Sequence, residues 1–218
     1  MEYELIIYKR SVKNMSIKIK DHQTVEVVAP RIIPRFVIDR FLRSKSTWIE
    51  KHLRRLSEAQ KLVALADNQI LLYGEKYELV IDPSLWKKTL VDDETKLVRS
   101  GLNLKEKTEK ASWYKSYAKQ VLSDKISYYA DEHHIRFNKL FIRGQKTKWG
   151  TCSSDKNISL NWKLIQFPEF VIDYVICHEL AHVRHMNHSQ AFWKHLDTLY
   201  PEVKKAKQWL KKYGIAVQ

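Results

Sequence analysis

The chain reads as an α+β protein, and three observations predict that class. Strand-like alternation opens the sequence, helical periodicity governs several longer segments, and the C-terminal half lays out as a helix, a small sheet and three further helices. In "MSIKIK", Met15, Ile17 and Ile19 face one way while Ser16, Lys18 and Lys20 face the other. With "YELIIYKR" before it and "TVEVVAP" after it, this predicts an antiparallel meander of three strands with one solvated face. From Pro34 the period changes: Val37, Ile38, Phe41, Leu42, Trp48, Ile49 and Leu53 recur at helical spacing, predicting one long helix with Phe41 and Trp48 in its core face.

"QILLYGEKYELVID" predicts a hairpin about Gly74 and Glu75, and "KLVRSGLNL" offers another strand. A domain boundary is expected near residues 104–108. It would divide an N-terminal β-rich region with one long helix, residues 1–104, from a second domain, residues 105–218. "KTEKASWYKSYAKQVLSDKISYYADEHH" then reads as an amphipathic helix. "IRFNKLFIRG", "TKWGTCS" and "NISLNWKLI" read as short strands. Pro168 suits a helix first turn, and the helix it begins is expected to run through "EFVIDYVICHELAHVRHM". "SQAFWKHLDTLY" and "EVKKAKQWLKKY" come next as helices, the last stopped by Gly214.

Seven Trp, eleven Tyr and seven Phe in 218 residues supply a sizeable core, while five Gly and five Pro argue against collagenous or linker sequence. "MEYELIIYKR" is too charged for a secretory signal and no apolar run is long enough to span a bilayer, so a cytoplasmic protein without a transmembrane segment is expected. Two cysteines, Cys152 and Cys177, do not make a disulfide scaffold. Lys and Arg outnumber Asp and Glu by 39 to 25, a formal +14 that would attract nucleotides, nucleic acid or acidic proteins without choosing among them.

The sharpest signal is His178-Glu179-Leu180-Ala181-His182. Histidines four apart stand one turn above each other on one helix face, so both imidazoles can reach one ion while Glu179 takes a proton from metal-bound water. This HExxH pattern points to a zinc hydrolase. A catalytic zinc asks for a third protein ligand. His188 is the first candidate: six residues past His182 it would lie about 9 Å along a straight helix, so the chain must turn. Asn187 offers that turn and, with Gln190, an Asn-x-x-Gln cap for the next helix. His185 competes for the position, although it lies about 10 Å along the axis from His178.

At these residues the chain resembles the YgjP-like family of metal-dependent hydrolases, related to zincin metallopeptidases and more distantly to SprT-like proteins. "YGEKYEL", "WYKSYA", "KTKWGTCSS", "ISLNWKLIQFP" and "VIDYVICHELAHVRHMNHSQAFW" carry the resemblance, which extends over residues 10–214 and also admits one continuous domain of that extent. It implies a zincin-like C-terminal domain, zinc on His178, His182 and His188, and Glu179 as base. The histidine spacing is also similar to that of metzincins, except that His185 stands at their glycine position, favouring a later turn at Asn187.

The expected activity is hydrolysis of peptide bonds by zinc-activated water, with a peptide or protein as partner. The resemblance places "KTKWGTCSS" near the cleft, with Trp149 beside it and Gly150 permitting close approach. Tyr174, Arg184 and His185 are the donors available to a transition state. Two alternatives use the basic charge: a nucleotide or phosphoester hydrolase, with Lys146 and Lys148 on phosphate, and a nucleic-acid-binding protein with a zincin-like domain.

Overall fold

The computed structural model of the chain describes residues 3–145 and 147–214, apart from the Leu62 side chain. They form two compact units, one of residues 3–64 together with 212–214, the other of residues 65–211.

In the first unit, β1 (Glu4–Arg10), β2 (Ser16–Ile19) and β3 (Thr24–Pro30) form a sheet in the order β1-β3-β2. The α+β class holds, but the strands are not an antiparallel meander. β2 runs antiparallel to β3, whereas β1 runs parallel to it. The reason lies in β3: Val25, Val27 and Ala29 are fully buried, so the most apolar strand takes the centre and β1 must add to its far edge. Alternation shows which side chains share a face, not which strand lies alongside.

Helical spacing after Pro34 is divided between α1 (Arg35–Ser44) and α2 (Ser46–Val63), separated at Lys45. Ile38, Leu42, Ile49 and Leu53 stay in phase across the break and pack with the β3 valines, which is why periodicity reads one helix. Trp48 is not in that core; it is exposed.

The second unit contains β4 (Gln69–Leu72), β5 (Glu75–Ile81), β6 (Thr89–Asp92) and β7 (Leu97–Ser100), ordered β4-β5-β7-β6. As expected, β4 and β5 form a hairpin; positive φ at Tyr73 and Gly74 makes the tight turn. A Cβ on Gly74 would lie 2.6 Å from Pro168 Cγ, so the turn also needs glycine for close approach.

The boundary expected at 104–108 falls within this unit, between β7 and α3 (Lys107–Glu132), where Leu104 is fully buried. Hydrogen bonds tie the sheet to elements later in the chain. The Tyr114 hydroxyl of α3 donates to Leu71 O and accepts from Leu71 N, while Tyr73 N donates to Ile165 O.

A further sheet holds β8 (Leu140–Arg143), β9 (Gly150–Cys152) and β10 (Ile158–Asn161), ordered β8-β10-β9. After a 3-10 turn come α4 (Glu169–His182), α5 (Gln190–Leu199) and α6 (Val203–Tyr213). α4 is apolar around most of its circumference: Val171, Ile172, Val175, Ile176, Cys177, Leu180 and Ala181 are all buried. Such a helix belongs at the centre of its unit, and there it carries the HExxH residues between the edge strand β9 and α5.

Candidate metal centre

α4 ends at His182, earlier than the expected end near Met186. Val183 N donates to Leu180 O, and the amides of Arg184 and His185 both donate to Ala181 O, closing the last turn as the chain leaves the helix axis. The next helix is capped by Ser189, not Asn187: Ser189 Oγ accepts from Phe192 N at 3.4 Å. Ser189 stands immediately before Gln190, the first helical residue, so it has the cap position that Asn187 lacks.

This reversal returns His188 to α4. Nε2 of His178 lies 3.2 Å from Nε2 of His182 and 3.1 Å from Nε2 of His188. Among the described residues, these three histidines form the group whose ligand atoms converge, all within 4.8 Å. The two separations from His178 fit a metal. Donors about 2.0–2.1 Å from one ion at tetrahedral angles lie about 3.3 Å apart.

The outer ring nitrogens agree with this assignment. His182 Nδ1 donates to the backbone carbonyl of His185 at 2.9 Å, which leaves Nε2 of a neutral ring with its lone pair turned to the cluster. Burial, followed by the neighbouring histidines, pushes the His178 pKa down to about 3 and keeps that imidazole neutral. Its Nδ1 stands 3.5 Å from Tyr174 Oη. Phe192, fully buried, seats all three rings with centroids 4.6–5.0 Å from its own, and Trp193 stacks on His188 at 5.5 Å. Phe192, Trp193 and Ser189 are site residues that motif reading passes over; the available signal was the apolar pair following a cap residue in "SQAFW".

Glu179 is only 5% exposed, and its Oε2 is buried with no hydrogen-bond partner among the described residues. Burial pushes its pKa up to about 8, opposed by the positive charge of Lys148. A buried polar atom left unpaired is costly, so an unpartnered carboxylate oxygen beside three converging imidazoles marks a place for a ligand or reactant. Gly150 makes this arrangement fit. A Cβ there would lie 2.5 Å from Glu179 Oε1 and 2.6 Å from its Cγ.

A cavity of about 330 Å³ opens over the cluster, bounded on one side by Lys148, Gly150, Thr151 and Cys152 and on the other by Glu179, Met186 and the three histidines. Burial, then the Glu179 charge, pushes the Cys152 thiol up to about 11. The remaining sequence candidates separate. Trp149 packs edge-on against Phe167 at 4.5 Å. The His185 ring faces His195 at 5.3 Å, and its contribution to the cluster is the backbone carbonyl. Arg184 acts on His195 by its charge and is not among the residues bounding this cavity. Lys146 lies outside the described residues.

Comparison with known proteins gives a family match. The model for the YgjP-like family, metallopeptidase domain, matches residues 13–213. Two solved structures share 23% identity each. The metallopeptidase zymogen of Pyrococcus abyssi abylysin aligns over 43% of this chain and 95% of its own, with a TM-score of 0.38. That of Methanocaldococcus jannaschii jannalysin aligns over 41% and 93%, also with a TM-score of 0.38. No curated protein matches the chain.

Proposed function

We propose, from the premise that this chain belongs to the YgjP-like metallopeptidase domain family, that it hydrolyses peptide bonds with zinc held by His178, His182 and His188 and with Glu179 as general base. Family membership makes the chain a metal-dependent hydrolase; the metal's identity, the ligand set and the base are the finer reading. Convergence of three Nε2 atoms beside the buried, unpartnered Glu179 carboxylate carries it. An all-imidazole donor set of this spacing suits zinc, with a further coordination position left for reactants.

Zinc bound there would supply Lewis acidity, polarising the scissile carbonyl and making water a nucleophile near neutral pH. Glu179 accepts the proton of the attacking water and returns it to the leaving amine. Burial raises its proton affinity, and Gly150 leaves room for its carboxylate. Lys148 brings a cation to the same cavity, where it can stabilise negative charge developing on the carbonyl oxygen. Tyr174 and the His185 carbonyl act at one remove by orienting the rings of His178 and His182.

β9 ends its sheet, paired through β10 alone among the described strands, and Gly150–Cys152 border the cavity. An extended peptide can therefore add along that edge and present its backbone to the cluster. Among the described residues, no helix is long and apolar enough to cross a membrane.

Metal analysis of the purified chain tests the first half of the reading, and about one zinc per chain is expected. Incubation with peptide and nucleotide panels, using Glu179→Gln as the control, tests the second. Peptide cleavage lost in that variant is expected. Cleavage that survives in it, or turnover of nucleotides alone, would overturn the assignment.

A further inference from the structure

A second cavity, about 630 Å³, lies between α4, α5 and α6. Its walls include Tyr174, Trp193, Val203 and Leu210, and three lysines of α6 bound it: Lys204, Lys207 and Lys211. Their spacing of three and four residues places the lysines on one helix face. Asp197 is the single carboxylate among the cavity's lining residues. None of the three lysines is in an ion pair among the described residues, although other lysines of the chain, Lys205 and Lys125 included, do find acidic partners.

Two of the walls are neighbours of the metal cluster. Trp193 stacks on His188 at 5.5 Å, and Tyr174 Oη is 3.5 Å from His178 Nδ1. Lys207 is held at the same place, its Nζ 3.8 Å from the Trp193 ring centroid. A group lodged here would thus lie one side chain away from the proposed ligands.

Resting on the peptidase reading, we infer that this cavity is a specificity pocket for an acidic side chain of the peptide substrate, close to the scissile bond. Its apolar walls can take the methylene stem, while the exposed ammonium groups of the three lysines at its edge attract a carboxylate, an attraction that weakens with added salt. Three cations against one anion favour a carboxylate, are indifferent to an amide and repel a substrate lysine. The cation of the metal-centre cavity, Lys148, lies in the loop before β9 and not on α6, so the two basic features can be separated by substitution.

The test uses the full metal-loaded chain. A complex mixture of peptides is digested and the residues flanking each cleaved bond are read by mass spectrometry; synthetic Glu, Gln and Lys versions of a cleaved peptide are then compared, with free and amidated C-termini. We expect Glu and Asp to be enriched at one flanking position, with kcat/KM for Glu about tenfold above Gln. That ratio should collapse in Lys204→Gln/Lys207→Gln and persist in Lys115→Gln/Lys119→Gln, which removes equal charge from exposed positions on α3.

Cleavage without an acidic preference, a preference lost equally in both double variants, or a requirement for the free C-terminus in place of the side chain would overturn the pocket and leave the peptidase reading standing. Should no peptide be cleaved, that reading fails. The pocket is then judged by calorimetric binding of Ac-Ala-Ala-Glu-Ala-Ala-NH2 against its Gln counterpart: tighter binding of Glu that depends on Lys204 and Lys207 sustains it, and equal binding overturns it.

Discussion

Replacing Glu179 by Gln should abolish turnover and yet stabilise the metal-free protein at neutral pH. In the unfolded chain the carboxyl titrates near its ordinary value of 4.5, whereas in the folded chain burial pushes it up to about 8. A group raised in this direction leaves stability intact below pH 4.5; stability is lost as pH rises and reaches its floor above about 8. At pH 7 some 2.5 pH units of that interval have been crossed, at about 1.4 kcal/mol each, so burial of this acid costs the apo-protein about 3 kcal/mol. Glutamine avoids the titration but leaves amide hydrogens unpaired, a penalty of about 1–2 kcal/mol. The net gain is about 1–2 kcal/mol, or about 2–8 °C in a chain of this size.

Thermal melts of both proteins in EDTA, from pH 5 to pH 8, provide the assay. The variant should be the weaker near pH 5, become the stronger by pH 7 and lead further at pH 8. Added zinc should narrow the lead, because a nearby cation favours the ionised carboxylate. A variant that is less stable at pH 7 and above, or a difference that does not change with pH, would refute the reasoning.

Gly150→Ala should retain zinc but lose at least about tenfold in kcat, because its Cβ occupies space now held by the Glu179 carboxylate and a small misplacement of a catalytic group is expensive; metal content and peptide turnover measured on the same sample check this. His188→Ala should lose bound zinc while His185→Ala keeps it, since the latter substitution preserves the carbonyl that accepts from His182; elemental analysis distinguishes them. Phe192→Ala empties the fully buried seat beneath three imidazoles and should cost about 3–5 kcal/mol in denaturant unfolding, together with weaker zinc retention in a chelator competition. Ser189→Ala removes the cap that begins α5 and should cost about 1 kcal/mol by the same unfolding measurement.

Local geometry explains which features were legible in the sequence. The alternation of Ile17 and Ile19, the hairpin about Gly74 and the long helix from Lys107 each depend on near neighbours, and each appears in the fold. The same spacing rules hid the break at Lys45, because the apolar phase survives it. They also could not choose the partner of β1, which depends on Val25 and Val27, remote in the chain, needing the centre of a sheet. The sheet β4 to β7 reads as N-terminal by chain order but is held to α3 by Tyr114.

At the metal centre, the sequence by itself determined that His178 and His182 share one face with Glu179 beside them, because a helical repeat makes i and i+4 neighbours in any context. Only the tertiary structure decided how His188 meets them, through an early helix end, the Ser189 cap and the Phe192 seat. It also set what surrounds Glu179: the bare edge of Gly150, the charge of Lys148 and a burial that leaves one oxygen unpartnered. The physical reason is one of range. Periodicity is set by bonds within a few residues, whereas cavities, desolvation and converging donors arise when distant segments exclude the same water.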